Sequence, residues 1–271
     1  MRSEAAMPVP PLAVFLFAHQ DDEFGCFAAI EAARADGLRP VCLYLTDGGG
    51  GRASPQARCD ESRRVLLSLG VAAEDIHFPG VNECLPDGGL AGHLPAAFTA
   101  VQRCLLACQA PVARLLIHAW EGGHQDHDAA HLLGLAVARC HDLLPRTRQF
   151  ALYHGAGLRH GLFRVLAPLA ANGPCERTRL PWASRLRYLR LCCGYPSQWK
   201  SWLGLLPFVG LHMLIQGTQD LQPVSLGRIQ DRPHPGPLLY EERGAARWAE
   251  LVAAATPFAA THLGTAPTPA V

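Results

Sequence analysis

A chain of 271 residues, 49% of them apolar, is long enough to bury a large core and too apolar to stay disordered. Its formal net charge of +1 gives no reason to expect nucleic acid or an anionic membrane as partner. The ten cysteines form no C-x-x-C pair, so they read as buried reduced thiols of a cytoplasmic protein. Cys104 and Cys108, at helical spacing, offer at most a weak metal pair.

Residues 1–11 lack the apolar core of a signal peptide. Leu12 to Ala18 then predicts a fully buried parallel strand. His19-Gln20-Asp21-Asp22-Glu23 turns it into a helix over Phe24 to Ala35, stopped at Asp36-Gly37. Pro40 to Thr46 is a second buried strand, followed by Asp47 and the glycine loop Gly48 to Gly51. A helix over Ser54 to Leu69 is capped by Gly70. Ile76 to Phe78 is a short third strand. A Gly/Pro/Asp-rich loop over residues 79–92 leads to a helix at Leu94 to Ala107. Ala113 to Ala119 is a fourth strand, ending in the polar cluster Trp120 to Asp128, and a helix follows from about Asp126 to Leu143.

Strands alternating with helices predict βαβ units. The expected fold is α/β: a doubly wound, mostly parallel sheet with helices on both faces, a Rossmann-like three-layer sandwich. The four glycines lack G-x-G-x-x-G spacing, so no dinucleotide cofactor is expected. Beyond Gln149 the pattern loosens. Phe150 to His154 suggests one more strand, Arg185 to Cys193 an amphipathic stretch, and Pro233, Pro235 and Pro237 an irregular loop. Glu241 to Ala254 suggests a helix, with a frayed end from Thr256. This predicts one domain over 1–271: a catalytic core at 12–145 and a C-terminal extension at 146–271 covering the cleft. The apolar stretch Trp202 to Ile215 is too short and too interrupted to span a bilayer. It reads mainly as core of the extension, with a lipid groove or peripheral membrane contact as the other reading.

Two clusters carry the chemistry. The first offers His19, Asp21, Asp22 and Glu23; the second offers Glu121, His124, Asp126, His127, Asp128 and His131. Both sit at predicted carboxyl ends of strands, where open α/β sheets place their sites. Carboxylates gathered this closely repel unless a cation lies among them. A catalytic zinc wants about three nitrogen or oxygen ligands and an open position, and spacing alone leaves open which histidines bind. Fe2+ and other divalent ions suit the same donors. His141, His154, His160, His212, His234 and His262 have no acidic company. Trp182, Tyr188, Tyr195, Trp199 and Trp202 read mostly as core.

His19-Gln20-Asp21-Asp22-Glu23 resembles the H-P-D-D-E motif of the PIG-L/LmbE-like N-deacetylases, and Gly123-His124-Gln125-Asp126-His127 their G-H-x-D-H. Thr46-Asp47-Gly48, Arg58-x-x-Glu61 with Leu69-Gly70, and Pro86-Asp87-Gly88 are similar to intervening family features. Tyr195-Pro196-Ser197-Gln198 resembles a Ser-Gln pair further on. The resemblance implies that His19, Asp22 and His127 hold Zn2+ and that Asp21 is the general base. It implies that protonated His124 stabilises the oxyanion or protonates the leaving amine, and that Arg58 and Asp87 face the substrate. Gln20 departs from the family's Pro, and Gly122 stands where some members place a Tyr. His131 is expected to lie behind the site, with Glu23 and Asp128 orienting ligating rings. The implied activity is removal of an N-acetyl group from an amino sugar or a glycoconjugate carrying one. A metal-dependent amidase on a non-acetyl amide, such as a thiol-sugar conjugate, and a non-catalytic carbohydrate-binding module with a structural metal are the alternatives.

Overall fold

The strand β1 (Leu12–Phe17) has six residues wholly shielded from solvent, and the other elements are laid on either side of it. The computed structural model describes residues 9–50 and 54–268, so Gly51 and most of the N-terminal segment lie outside the described residues. After β1 come a 3-10 turn (Asp22–Cys26), α1 (Phe27–Ala35), β2 (Arg39–Tyr44), α2 (Pro55–Ser68), β3 (Ile76–His77), α3 (Pro79–Asn82) and α4 (Leu94–Ala107). Next are β4 (Val112–His118), α5 (Gln125–Cys140), β5 (Thr147–Phe150) and the small hairpin β6 (Tyr153–His154) with β7 (Arg164–Val165). The chain closes with β8 (Glu176–Arg179), α6 (Trp182–Cys192), α7 (Trp199–Ile215), β9 (Thr218–Pro223), α8 (Leu239–Glu242) and α9 (Trp248–Leu263).

The main sheet runs β3-β2-β1-β4-β5-β9-β8. The first five strands are parallel; β9 and β8 continue the sheet antiparallel. Side chains of a strand alternate between faces, and β1 is apolar on both. Leu12, Val14 and Leu16 enter the core with α4, α5 and α9, whereas Ala13, Phe15 and Phe17 enter a second core with α1, α2, α6 and α7. This three-layer arrangement is the expected fold class.

Several expectations for the chain's second half needed correction. Phe150 to His154 is divided between β5 and the hairpin. β9 was not anticipated, because its buried residues Thr218, Asp220 and Gln222 are polar and hide the alternation that marks a strand. β8, entirely exposed, carries no apolar pattern at all. The helix expected at Glu241 to Ala254 is two, broken after α8 at Gly244, whose φ is +68°. The end expected to fray from Thr256 is helical to Leu263, since Phe258, Ala259 and Leu263 bury against the α5 face. Residues 269–271 lie outside the described residues. The cysteines are all free, but Cys84, Cys140, Cys175 and Cys193 are exposed rather than buried.

Candidate metal centre

β1 feeds β2 on one side, while β4, on its other side, feeds β5. Their carboxyl ends therefore open a crevice at the point where strand order reverses. Both histidine/acid clusters converge there.

The turn after β1 is fixed by its own carboxylates. The His19 amide donates to Asp22 Oδ2 (2.7 Å) and the Asp21 amide to Glu23 Oε2 (3.0 Å). Asp21 has a φ of +114°, a conformation costing about 1–3 kcal/mol for a residue with a Cβ. Gln20, in the place of the family's Pro, is buried and tethers the turn to β2 by donating to Thr46 O (3.3 Å). On the other side, His124 caps α5 by accepting the Asp126 amide at Nδ1 (3.2 Å). Gly123 has to be glycine: a Cβ there would lie 1.9 Å from Tyr153 O. Gly122 (φ +71°) has no room for the family's Tyr either, since Leu238 occupies the space.

Asp22 is the centre of the cluster. Its Oδ1 lies 3.2 Å from His127 Nε2, and its Oδ2 lies 3.2 Å from His118 Nε2 and 3.5 Å from His19 Nδ1. Three sets of residues present ligating atoms within 4.8 Å of one another: His19/His124/His127, Asp22/His118/His127 and His19/Asp87/Asp126. The expected triad His19, Asp22 and His127 is linked pairwise through Asp22 but is not itself one of these sets; His124, expected as the acid, stands inside one. His118 Nε2 accepts the Ala18 amide (2.9 Å), so that lone pair is already engaged. His19 Nε2 faces Asp126 Oδ2 (3.0 Å); a carboxylate only accepts, so Nε2 carries the proton and Nδ1 is left as the ligating atom. Both ring nitrogens of His127 are buried with no hydrogen-bond partner among the described residues. Unpaired buried imidazole nitrogens beside a carboxylate are costly without a cation. The donor set fits a divalent metal such as Zn2+.

Without a cation, the histidines and acids of the cluster settle each other's charge. Burial works against charge on Asp22, yet His127 and His118 hold its carboxyl well below the usual range. Burial likewise opposes charge on His19, but Asp87, Asp126 and Asp22 hold its pKa well above the ordinary imidazole value. Burial pushes Asp21 up to about 8 against the pull of Arg58. Burial, with His19 nearby, lowers His124 to about 3. The imidazole expected to act as a cation is therefore neutral in this environment, with its proton on Nε2.

Asp126, which the sequence placed in the cluster without a role, holds His19 and also accepts the amides of Gly88 (2.6 Å) and Leu90 (3.0 Å). The ring-orienting role expected of Glu23 and Asp128 belongs here instead. Glu23 accepts the Asp21 amide, and Asp128 Oδ1 accepts the Glu121 and Gly122 amides (3.2 and 3.1 Å). Glu121 Oε1 accepts the amides of Leu152 and Tyr153. His131 lies behind the site, with Nδ1 on His118 O (2.8 Å). Among the remaining histidines, His160 does have acidic company, 3.6 Å from Glu242.

A cavity of about 540 Å³ opens over the cluster and is lined by His19, Asp21, Asp22, Arg58, Asp87 and His124. Arg58 is buried and commits its donors to Gly48 O (2.8 Å), Gln20 O (2.9 Å) and Asp87 Oδ2 (3.2 Å), so it braces three loops as well as lining the pocket. The far wall comes from the second half of the chain: Tyr153, Gln198, Lys200 and Arg243. The Ser-Gln pair is anchored by Glu61 of α2, which accepts from Ser197 N (2.9 Å) and Oγ (2.5 Å). His118 and Tyr153 escaped the sequence reading. His118 is a single polar residue closing an apolar strand, and Tyr153 lies outside both motifs; its ring stands 5.4 Å from that of His127.

The family described as PIG-L: GlcNAc-PI de-N-acetylase matches residues 14–138. No curated protein sequence matches the chain. Among solved structures, the A40926 pseudoaglycone deacetylase Dbv21 is similar at 17% identity and a TM-score of 0.59, covering 80% of this chain and 98% of its own. A deacetylase–teicoplanin complex is similar at 15% identity and a TM-score of 0.56, covering 79% and 98%. The N,N'-diacetylchitobiose deacetylase of Pyrococcus horikoshii, at 15% identity and a TM-score of 0.53, covers 78% and 82%. At these identities the structures speak for the fold, and the family match for the motifs that fill its crevice. Residues 14–138, the stretch that matches the PIG-L family, hold both histidine/acid clusters.

Proposed function

We propose that this protein is a metal-dependent hydrolase that removes an N-acetyl group from an amino sugar or an amino-sugar-containing glycoconjugate. The reading rests on one observation: His19, Asp21 and Asp22 from the tip of β1 meet His124 from the tip of β4 in one cavity, with the buried His127 ring 5.3 Å from that of His19. The deacetylases of similar fold, whose names carry A40926 pseudoaglycone, teicoplanin and N,N'-diacetylchitobiose, support the same class.

His19 Nδ1, Asp22 and His127 would hold the cation, Zn2+ by donor type with Fe2+ as the other candidate. When bound, a divalent ion lowers the pKa of water, polarises a carbonyl and favours the ionised form of the nearby carboxyl. Asp21 takes the proton of the attacking water on its carboxylate. His124, neutral with its proton on Nε2, donates a hydrogen bond to the developing oxyanion, and the proton that Asp21 took from the water passes on to the leaving amine. Arg58 and Asp87 hold the glycine loop and the pocket floor against the substrate. Lys200, Gln198 and Arg243 supply polar contacts for a saccharide on the far wall.

Asp21→Asn tests the role of the base. The variant should bind metal as the parent does and release acetate from N-acetylated sugars about 10²–10⁴-fold more slowly. Full activity in that variant would remove Asp21 from the mechanism, and parental activity after exhaustive chelation would remove the metal.

A further inference from the structure

The helix α7 is apolar on all sides, and only one side is covered. Trp202, Val209 and Met213 pack into the core beneath the sheet. The opposite stripe, Leu203, Pro207, Phe208, Leu211, Leu214 and Ile215, faces solvent, with Leu203 and Ile215 each 72% exposed. Leu203, Leu211, Leu214 and Ile215 fall on one arc at helical spacing. Trp199 starts the stripe at 59% exposure, and Trp182 of α6 is exposed to 58%. A helix apolar all round is ordinarily buried or in lipid. With 17 residues and an internal proline, α7 is not long and apolar enough to cross a bilayer.

Charge along this stretch of the chain is segregated. Between Arg177 and Gln219 there is no Asp or Glu and six basic residues, although the whole chain has 24 basic and 23 acidic residues. The rest of the chain is therefore net negative while this stretch is strongly positive, a contrast that the overall +1 conceals. Three of the six are engaged: Arg177 with Asp220, Arg187 with Glu31, and Arg185 with the carbonyls of Leu180 and Met213. Arg179, Arg190 and Lys200 are exposed and form no ion pair among the described residues.

We propose that α7 and the basic residues beside it dock on an anionic lipid bilayer, with the helix lying in the interfacial plane. Exposed Leu, Ile and Phe enter the acyl boundary, the two tryptophans sit at headgroup level, and Arg179 and Arg190 meet lipid phosphates. A second copy of the chain fits the face less well, because a two-fold contact would set one acid-free basic stretch against another. Lys200, Ser201, Gly204 and Leu205 of the same helix line the catalytic cavity, so docking would bring its mouth beside the lipid surface.

Sedimentation of the full-length protein with vesicles tests this. Phosphatidylcholine containing roughly a third phosphatidylglycerol should bind on the order of tenfold more protein than phosphatidylcholine alone, less so in high salt, and should shift the tryptophan emission to the blue. The double variant Leu211→Asp/Leu214→Asp should lose this binding about tenfold at an unchanged melting temperature, because both side chains are exposed. Failure to bind anionic vesicles, equal binding to neutral ones, or indifference to the double substitution would overturn the proposal. A dimer that scatters light in the parent and dissolves in the variant would assign the face to a second copy instead.

Discussion

Aspartate 126 and histidine 118 mark the limit of what single residues disclose. The motif letters singled out His19, Asp22, His124 and His127 because each stands beside acids after an apolar run, and the fold brings these side chains together. Which carboxylate steadies which ring depends on a side chain 107 positions away, and no local pattern encodes that. His154 carries a consequence of its own. It is buried, accepts the Ala156 amide at Nδ1 (3.2 Å), and Nε2 donates to Ala167 O (2.8 Å). Burial lowers its pKa to about 4. The unfolded chain therefore binds a proton that the folded chain refuses between those limits, and stability rises with pH there. This contribution should be complete above pH ~6.5 and lost by about pH 4, a change of about 3 kcal/mol. Guanidinium titrations across that window should show the slope, and His154→Gln should flatten that part of it at the cost of its hydrogen bonds.

Helices and strands were legible in proportion to how apolar they are. β1, β2 and β4 announce themselves as unbroken apolar runs, since a parallel strand covered on both faces has no polar side. β8 and β9 sit at the sheet's antiparallel end and bury Asp220, Gln222 and Thr218 against partners that only the fold supplies, such as Arg177 for Asp220. The β4–α5 connection shows how tightly elements are joined at the site. Gly123→Ala would drive a methyl into the Tyr153 carbonyl, an atom that cannot move without shifting β6. The expected cost is about 1–3 kcal/mol of stability, read from the denaturant midpoint, together with slower acetate release because His124 follows directly. Gly88→Ala offers the comparison: a Cβ there would meet only the end of the Gln125 side chain, at 3.4 Å, although a positive φ adds strain.

For the molecule as a whole, sequence alternation disclosed the doubly wound sheet, and two short motifs disclosed where it opens. Which other residues beyond 150 wall the cavity was not legible, because Lys200 and Arg243 carry no pattern beyond being polar. A cation held between the tips of β1 and β4 would tie together segments that the unfolded chain keeps about a hundred residues apart. Metal at a hundredfold excess over its dissociation constant should therefore raise stability by about 2.7 kcal/mol. Thermal melts with and without chelator read this directly, and a His19→Ala/His127→Ala protein should show no difference between the two.

β1 serves two cores at once through alternate residues and carries half the site on its last turn. Phe15 and Leu16 push on it from opposite sides, so a void on either side would tilt the strand like a beam that has lost one support. His19, Asp21 and Asp22 would then swing together relative to the α5 histidines. Substitutions that repack either core thus reach the site through the same six positions, and interior repacking is where drift in its geometry would originate.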